Sequence, residues 1–457
     1  MDPALFNQER ILTARLHSKT ERQIEILSKQ DSAGAAELEA EIRQLTAQYQ
    51  GVEAKILAAS PRYAAFAQPE PLTLRRLQRE FLDADTLLLE YAVGEDRSFL
   101  WAVTRTTFRT FELPGRSPME ILARRIYENI SARTVGPSES ADDAVRELSR
   151  LLLGPVAAEL GTQRLVVVTS GAIEYVPFGV LSSPSRPAEP LVASNEIVNL
   201  PSASTIAFLR GGRRDKNRPS KLLAVLADPV FSANDPRLNN SKVASSVGGG
   251  GAERSRSLSG FEQLALERLT FTRREAEDIL ALVPRTASFS ALDFDASRST
   301  VTNGALNGYR FVHIASHGLV NSLHPELSSI VLSLVDRSGH PENGFLQSTD
   351  IYNLKLNAEL VVLSACQTAL GKEVRGEGLV GLTRAFMYAG VPSVLASLWT
   401  VPDRSTAELM TRFYRGMLVG KMPPAAALRE AQVSMWKESR WSRPYYWAAF
   451  ILQGEWR

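Results

Sequence analysis

The sequence has very little cysteine: one residue, Cys366, in a chain of 457. A single thiol excludes an intramolecular disulfide framework of the kind that stabilises small secreted proteins. It is typical of a reducing compartment, where a thiolate stays available for chemistry. With 44% hydrophobic residues, the chain can bury a large core without cross-links, and its length predicts two or three domains.

The chain also lacks an excess of charge and any long apolar run. Its 52 lysine and arginine residues nearly balance 50 acidic ones, so no electrostatic argument favours nucleic acid or an anionic membrane as a partner. No apolar run approaches the ~18 to 20 residues of a membrane span. The N-terminus is charged and polar, unlike a secretory signal. We therefore expect a soluble, cytoplasmic protein.

Cofactor and metal motifs are absent or incomplete. There is no G-x-S-x-G motif of a serine hydrolase, and the tetraglycine 248–251 is not followed by the lysine of a phosphate-binding loop. The segment 376–381 has dinucleotide-type glycine spacing but begins too far after the preceding predicted strand for the required tight turn. On a strand, His313 and His317 would lie about 13 Å apart, too far to share one metal ion. We predict neither cofactor nor metal, and a buried core position for His313.

Residues 1–62 have the pattern of a helical hairpin. Apolar positions from Leu38 to Ile56 recur at steps of four and three, which is a heptad seam, and a looser apolar stripe precedes them. The polar residues 30–34 predict the turn between the two helices. Two interpretations stay open: a structural arm of the chain, or a segment that docks on a partner.

After this hairpin the pattern predicts two α/β units, 63–215 and 216–457. In the second unit strands alternate with helices, as in a mostly parallel sheet flanked by helices on both faces. In the first, three strands joined by short turns come before the helices and a further strand. Residues 232–260 lose all periodicity and predict a flexible surface loop. The first unit contains neither cysteine nor histidine and so cannot carry out thiol chemistry. The strands predicted in the second unit are 221–227, 309–316, 359–365, 393–398 and 447–452.

Two of these strands each place a reactive side chain at the carboxyl end. His317 follows one of them, and Cys366 follows another 49 residues later (366 − 317). Because the carboxyl ends of parallel strands meet at one edge of a sheet, we expect the two residues to share a cleft. Cys366 would then be the nucleophile and His317 its general base. The structural alternative is that the lone cysteine is a small buried apolar residue.

Backbone N–H groups near this pair are candidates for an oxyanion hole. The amides of Gly318 and Cys366 could face a developing oxyanion, a contribution of about 3 kcal/mol per donor. Gly318 suits the role because a missing side chain lets a substrate carbonyl approach closely. No third carboxylate is evident, so we predict a catalytic dyad.

These segments resemble the CHAT family of caspase-like cysteine peptidases, which are related to separase and the caspases. The His-Gly segment 312–318 and the Ala-Cys segment 363–368 carry the resemblance most specifically, and caspases place their histidine a similar distance, roughly 50 residues, before the cysteine. It implies two caspase-like α/β units, an inactive one followed by an active one. The family's tetratricopeptide repeats are absent here, so either the chain is a fragment or the hairpin replaces them. The other matching segments are 171–178, 200–204, 223–231, 272–276, 376–378, 396–403 and 447–450.

Substrate preference is predicted from residues around the strand ends. The resemblance to caspases places Ser364 where they carry a glutamine that helps to bind aspartate. Asp228 and Asp403 both follow predicted strands at the same sheet edge and are candidates for the S1 pocket. Two carboxylates there would favour arginine or lysine at P1 through charge-assisted hydrogen bonds. Alternatively, Asp403 caps the helix that starts at Arg404.

The sequence therefore predicts a caspase-like cysteine endopeptidase that cleaves a protein substrate after a basic residue. Segments 232–260 and 367–377 are loops of the kind that become ordered on activation, so we expect control by a partner or signal. The resemblance implies a regulatory protein or repeat domain as partner and, in some bacterial defence systems, gasdermin-like substrates. The alternative is a non-catalytic scaffold of the same fold that binds partners through the helical arm.

Overall fold

The computed structural model describes residues 32–59, 70–132, 139–211, 218–238, 266–321, 328–370 and 377–456, together with positions 5, 8, 11, 12, 15, 16 and 19. For residues 365–370 it describes the backbone. The strands in this part of the chain are β1 (Thr86–Ala92), β2 (Arg97–Val103), β3 (Phe108–Pro114), β4 (Arg164–Val168), β5 (Ser182–Ser183), β6 (Arg186–Pro190), β7 (Ile197–Asn199), β8 (Lys221–Pro229), β9 (Ser288–Asp293), β10 (Tyr309–Asn321), β11 (Ser329–Val331), β12 (Phe345–Gln347), β13 (Leu360–Leu370), β14 (Ser393–Ser397) and β15 (Phe450–Gly454).

The helices cover both faces of the sheet that these strands build. Short 3₁₀ turns and one π-helical turn, Leu77–Phe81, supplement them. The α-helices among the described residues are α1 (Ser32–Ala59), α2 (Leu74–Arg76), α3 (Arg116–Ser131), α4 (Glu139–Leu152), α5 (Ala157–Leu160), α6 (Thr205–Gly211), α7 (Thr270–Leu280), α8 (Arg298–Thr302), α9 (Ser348–Tyr352), α10 (Glu377–Tyr388), α11 (Asp403–Leu418), α12 (Pro424–Trp436) and α13 (Pro444–Trp447).

Thirteen of the described strands form one mixed, mostly parallel sheet. Its main order is β12-β11-β10-β13-β14-β15-β7-β4-β1-β2-β3, and β8 and β9 continue from β10 on a branch. Strand β15 lies between β14, to which it is antiparallel, and β7, to which it is parallel. The two predicted α/β units therefore share a single sheet, joined through the last strand.

Strand β10 keeps one neighbour along its length and changes the other halfway. On one side β13 runs parallel to it from Phe311–Leu360 onward. On the other side β8 pairs with it as far as Ala227–Ala315, and β11 takes over in antiparallel orientation from His317–Val331. The backbone of β8 thus leaves β10 two residues before His317, and β11 occupies that side of β10 from His317 onward.

Apolar runs explain why these strands lie in the centre. Val312 and Ile314 on β10 and the residues Leu360–Val362 on β13 are inaccessible to solvent. Parallel strands buried on both faces have continuous rather than alternating apolar sequence. The predicted fold class, an α/β protein with a mostly parallel sheet flanked by helices, is confirmed. The predicted domain boundaries at residues 62 and 215 stay a prediction.

The N-terminal helical region is present. Helix α1 presents Leu38, Ile42, Tyr49 and Val52 to a separate apolar cluster, which also contains Leu12 and Leu16. The predicted heptad seam therefore packs against residues of the preceding stripe. Of the predicted turn at 30–34, residues 32–34 belong instead to α1. Residues 30 and 31 lie outside the described residues, so the hairpin connection stays a prediction.

Two strand predictions need correction. Strands β10 and β13 extend to Asn321 and Leu370, about five residues beyond the predicted ends at 316 and 365, and stay paired throughout. The final strand is β15, whereas the predicted strand 447–452 began in the short helix α13. Small and polar residues such as Gln367 and Thr368 looked like a loop, but the pairing with β10 overrides that local preference.

None of the helices in the described part of the chain has the length and apolar character required to cross a bilayer.

Candidate functional site

His317 and Cys366 are register partners on neighbouring parallel strands. The β10–β13 ladder pairs Ser316 with Ala365, His317 with Cys366, and Gly318 with Gln367. Neighbouring strands lie about 4.8 Å apart, so the backbones of the histidine and the cysteine are adjacent. The predicted meeting of these two strands at one point of the sheet is therefore present. Both residues lie inside paired strands rather than at their ends.

The imidazole of His317 is nearly buried, with 8% of the residue exposed. Its ring lies 5.0 Å from that of Phe231, centroid to centroid, and Nε2 is 2.7 Å from the Glu267 carbonyl oxygen. A carbonyl oxygen only accepts hydrogen bonds, so Nε2 carries a proton in this arrangement. Burial lowers the pKa of His317, although the hydrogen bond to Glu267 acts in the opposite direction. Burial thus favours the neutral ring, the form that a general base requires.

Asp228 lies where β8 leaves the sheet. Its φ is +53°, in the left-handed region, and the β8–β9 register shifts between Ala227 and Pro229. Asp293, at the end of β9, also has a positive φ, +55°. A non-glycine residue with this backbone conformation is uncommon and is kept only where its surroundings compensate the strain.

That compensation comes from a network of six charged residues at the strand ends. Arg268 donates to both oxygens of Asp228, through Nε at 2.8 Å and Nη2 at 2.6 Å. Arg273 also reaches Asp228, at 3.0 Å, and binds Asp293. Three carboxylates therefore meet three guanidinium groups, which compensates charges that would be costly to bury alone. The members of this charge network are Asp228, Asp235, Arg237, Arg268, Arg273 and Asp293.

Arg237 connects the network to the chain after β8. It donates to the backbone carbonyl oxygen of Asp228 and to a carboxylate oxygen of Asp293, and it forms two bonds with the Asp235 carboxylate, at 2.8 and 2.7 Å. Hydrogen bonds from Arg237 lower the pKa of Asp235, and those with Asp228 raise the pKa of Arg268. Of the predicted flexible loop 232–260, residues 232–238 are held by this network, and the remainder lies outside the described residues.

Asp228 therefore has a different environment from an open S1 pocket. Its side chain is fully buried, and guanidinium groups of the same chain occupy both carboxylate oxygens. A substrate cation would have to replace one of them. The prediction that Asp228 binds a P1 residue stays a prediction, with this competition as its physical cost.

Asp403 has only partial compensation. It is the first residue of α11 and makes no cap bond there; Oδ2 instead accepts from the Phe271 N–H, at 2.6 Å, at the start of α7. It thus caps a neighbouring helix and not the one that the sequence alternative expected. Burial raises the pKa of Asp403 to about 6; the Phe271 N–H acts against this rise, and the charges of Glu275 and Asp228 add to it.

The remaining predicted site residues lie on β10 and β13. Ser364, two residues before Cys366 on β13, is buried. Its hydroxyl has no hydrogen-bond partner among the described residues. Gly318 lies opposite both Ile330 and Gln367. Because its backbone belongs to these ladders, the predicted use of the Gly318 and Cys366 amides as oxyanion donors stays a prediction.

A second histidine lies beneath the first on β10. His313 and Glu275 of α7 are both inaccessible, with Nε2 and Oε1 2.9 Å apart, although neither atom has a well-aligned hydrogen bond. The Tyr414 hydroxyl of α11 lies 3.3 Å from His313 Nδ1. The predicted buried core position of His313 is confirmed. This layer ties α7 and α11 to the sheet below the site. Among the described residues no group of acidic, cysteine and histidine side chains could hold a metal ion.

Sequence reasoning missed the arginines of the charge network and the Glu267 carbonyl. A backbone carbonyl has no residue-type signature, so no sequence pattern could identify it. Arg268 and Arg273 lie far from Asp228 along the chain, and balanced charge over the whole sequence hides their clustering. The available signal was Asp228-Pro229 directly after an apolar run, which marks a strand end that turns sharply.

Together, fold and site define an α/β protein that brings a histidine and a cysteine together on adjacent parallel strands. The sequence model of the CHAT domain matches residues 142–455, more than half of the chain. The chain belongs to the CHAT domain family, as the sequence resemblance predicts. The matched residues build most of the mixed, mostly parallel α/β sheet.

Individual proteins are similar either over a short segment of the chain or at low sequence identity. Tetratricopeptide repeat protein 28 is 40% identical in Mus musculus and 38% in Homo sapiens over 109 residues, 24% of this chain and 4% of each relative. The chain thus spans a small part of these relatives' length. The Saccharomyces cerevisiae separase–securin complex is similar with a TM-score of 0.49 and 11% identity, over 87% of this chain and 31% of that chain. The Arg-specific cysteine proteinase gingipain R has a TM-score of 0.40 and 11% identity, over 74% and 73%.

Proposed function

We propose that this CHAT protein is a cysteine endopeptidase that uses Cys366 and His317 as a dyad. The observation that carries the proposal is the register pair that these residues form on β10 and β13. A nucleophile and its base must lie within hydrogen-bond reach of each other, and adjacent backbones are the precondition. Burial of His317, which lowers its pKa and so favours the neutral ring, supports the same role.

The chemistry divides into two acyl-transfer steps. His317 takes the thiol proton through Nδ1, because Nε2 already carries one, and the sulfur attacks the scissile carbonyl. The imidazolium then protonates the leaving amine as the peptide C–N bond breaks and a thioester remains. Water, deprotonated by His317, attacks the thioester, and the thiol is regenerated with release of the carboxylic acid. Backbone amides near Gly318 are the proposed donors to the oxyanion of each step.

The proposed preference is for a basic P1 residue. Asp403 supports it because its carboxylate is partly buried and has one backbone hydrogen bond but no ion pair among the described contacts. An arginine or lysine side chain would supply the missing cation, a charge-assisted bond of about 1.5–3 kcal/mol. Ser364 and Asp228 stay secondary members of this proposal.

Control by a regulatory protein or repeat domain is also proposed. Its support is that the curated relatives are named for tetratricopeptide repeats and are much longer than the matched segment. The extended β10–β13 pairing also engages the backbone on which the oxyanion donors would lie. An activating partner would act by opening that pairing. A gasdermin-like substrate and a cytoplasmic location stay predictions.

Fluorogenic peptides that differ only at P1 test this function. We expect hydrolysis after arginine or lysine to exceed that after aspartate or leucine by at least about tenfold, given the charge-assisted bond above. Asp403→Asn should remove most of this preference while leaving slow hydrolysis after leucine. Equal turnover of all four peptides would contradict the basic pocket. No turnover of any peptide or of denatured casein, with a candidate repeat-domain partner added, would favour the non-catalytic scaffold.

A further inference from the structure

Residues 266–269, here called the bridging segment, contact both halves of the site with consecutive residues. The Glu267 carbonyl accepts from His317, and the Arg268 guanidinium binds Asp228 through two parallel hydrogen bonds. The segment leads directly into α7, whose Arg273 reaches the same carboxylate. A main-chain acceptor for the histidine is therefore held one residue away from a strong ionic anchor.

The Glu267 carbonyl is suited to a specific task. Because it can only accept a hydrogen bond, and its partner is Nε2, it selects the tautomer in which Nε2 carries the proton and Nδ1 is unprotonated. An acceptor on the far nitrogen also fixes the orientation of the ring, the role that a carboxylate has in a catalytic triad. The sequence offered no third carboxylate, and this backbone oxygen occupies the position that one would take.

Arg268 is the group that can hold this carbonyl in place. Its guanidinium is a rigid fork, and bidentate pairing with a carboxylate fixes both distance and direction. Asp228 is itself immobilised, since it is fully buried and is also bound by Arg237 and Arg273. Displacing Arg268 would release the neighbouring carbonyl without touching His317 directly.

We propose that Arg268 is a positioning residue which, through Asp228, keeps the Glu267 carbonyl on Nε2 of His317 and so keeps Nδ1 available as the base. The inference rests on the proposed function, since it concerns the base of that reaction. It assigns Asp228 to the support of His317, a role distinct from binding a P1 side chain. The opposite interpretation, that the bridging segment covers the site and must leave before substrate binds, predicts the opposite sign for the same substitution.

The test uses the single cysteine as its own reporter. Cys366 is the only thiol in the chain, so alkylation of the full-length protein by iodoacetamide at pH 7 reports on that residue alone. We expect Arg268→Ala to slow alkylation about tenfold, because loss of an aligned base lowers the thiolate fraction. Arg268→Lys keeps the charge but not the fork, and should recover part of the rate. Arg274→Ala removes a charge from an exposed position of α7 and should change nothing.

Peptide hydrolysis supplies the second measurement. Arg268→Ala should lower kcat by about tenfold or more with little change in KM, because it disturbs the base and not the substrate pocket. Faster alkylation together with faster hydrolysis would overturn the proposal in favour of a covering segment. Unchanged alkylation in a variant with wild-type thermal stability would also overturn it. If Arg268→Ala does not fold, the decision falls to Arg268→Lys, whose full activity would contradict a need for the bidentate contact.

Different results would contradict the proposed peptidase activity and the proposed positioning role of Arg268. Wild-type protein that hydrolyses no peptide, while its Cys366 alkylation still falls in Arg268→Ala, would contradict the proposed peptidase and retain the positioning role. Hydrolysis that persists unchanged in Arg268→Ala would contradict the positioning role and retain the peptidase.

Discussion

The two halves of the sheet use the same architecture to different ends. In the half built from β1, β4 and β7, strand β4 ends at Val168 and the chain continues through Ser170 into a 3₁₀ turn. In the other half, β8 and β9 carry aspartates with positive φ at or next to their ends, and β10 and β13 carry His317 and Cys366 in register. Both halves have inaccessible apolar strands. Packing of the sheet therefore does not require His317 and Cys366, which are present in only one of two halves with the same architecture.

The largest effect should come from Cys366, the proposed nucleophile and the only cysteine in the chain. Cys366→Ala is expected to lower kcat/KM by at least about a thousandfold, because no other residue can form the thioester. The matched control in the first half is Ser170→Ala. Ser170 is exposed and lies two residues after the end of β4, so this substitution should leave activity unaltered. Both are measured as peptide hydrolysis by proteins of equal thermal stability. Comparable losses in the two variants would show that the halves do not differ in the proposed way.

A second contrast concerns buried polar groups. Below the site, Glu275 and His313 form an inaccessible pair, whereas the first half buries the neutral Tyr91 hydroxyl on the Leu152 carbonyl, at 2.9 Å. Glu275→Ala should lower the free energy of unfolding by about 3 kcal/mol, since it leaves the buried partner uncompensated. Tyr91→Phe should cost about 1 kcal/mol, the value of an ordinary hydrogen bond. Urea unfolding measures both.

The exposed Glu277 provides the control for the first of these changes. It lies on the same helix as Glu275, and Glu277→Ala should change stability by less than about 0.5 kcal/mol. If Glu275→Ala is as stable as Glu277→Ala, the attraction between Glu275 and His313 only offsets the free energy lost when the two side chains are desolvated.

The smallest expected effect is the pH dependence that Asp403 adds. Its pKa is about 6 in the folded protein against an ordinary value of 3.8, so between these values the folded state holds a proton that the unfolded state has released. Stability should therefore fall as pH rises through this window. Asp403→Asn should abolish that fall and be more stable at pH 7 by about 1 kcal/mol, a value reduced for partial exposure.

Thermal unfolding of both proteins from pH 4 to pH 7 measures the difference. His317, whose lowered pKa acts in the opposite direction, is present in both and cancels in the difference. If the stability difference between the two proteins does not vary with pH, the pKa of Asp403 is not raised in the folded protein.

The sequence predicted the fold class because apolar runs and helical periodicity are local properties of the strands and helices. It also predicted that His317 and Cys366 lie on neighbouring parallel strands, but it placed them at the strand ends, whereas the ladder continues to Asn321 and Leu370. It could not predict the extension of β10 to Asn321, because that depends on pairing with β13 and β11. The charge network depends on contacts between Asp228 and residues up to 45 positions away, which local patterns do not encode.

The position of β15 has a consequence for the order in which the sheet is completed. This strand follows every other described strand in the chain, yet it lies in the middle, between β14 and β7. During synthesis both of those strands would present unpaired edges until residues 450–454 emerge, and open edges are templates for wrong pairing. Substitutions that weaken β15 should therefore lower the yield of soluble protein more than they lower the stability of the finished fold.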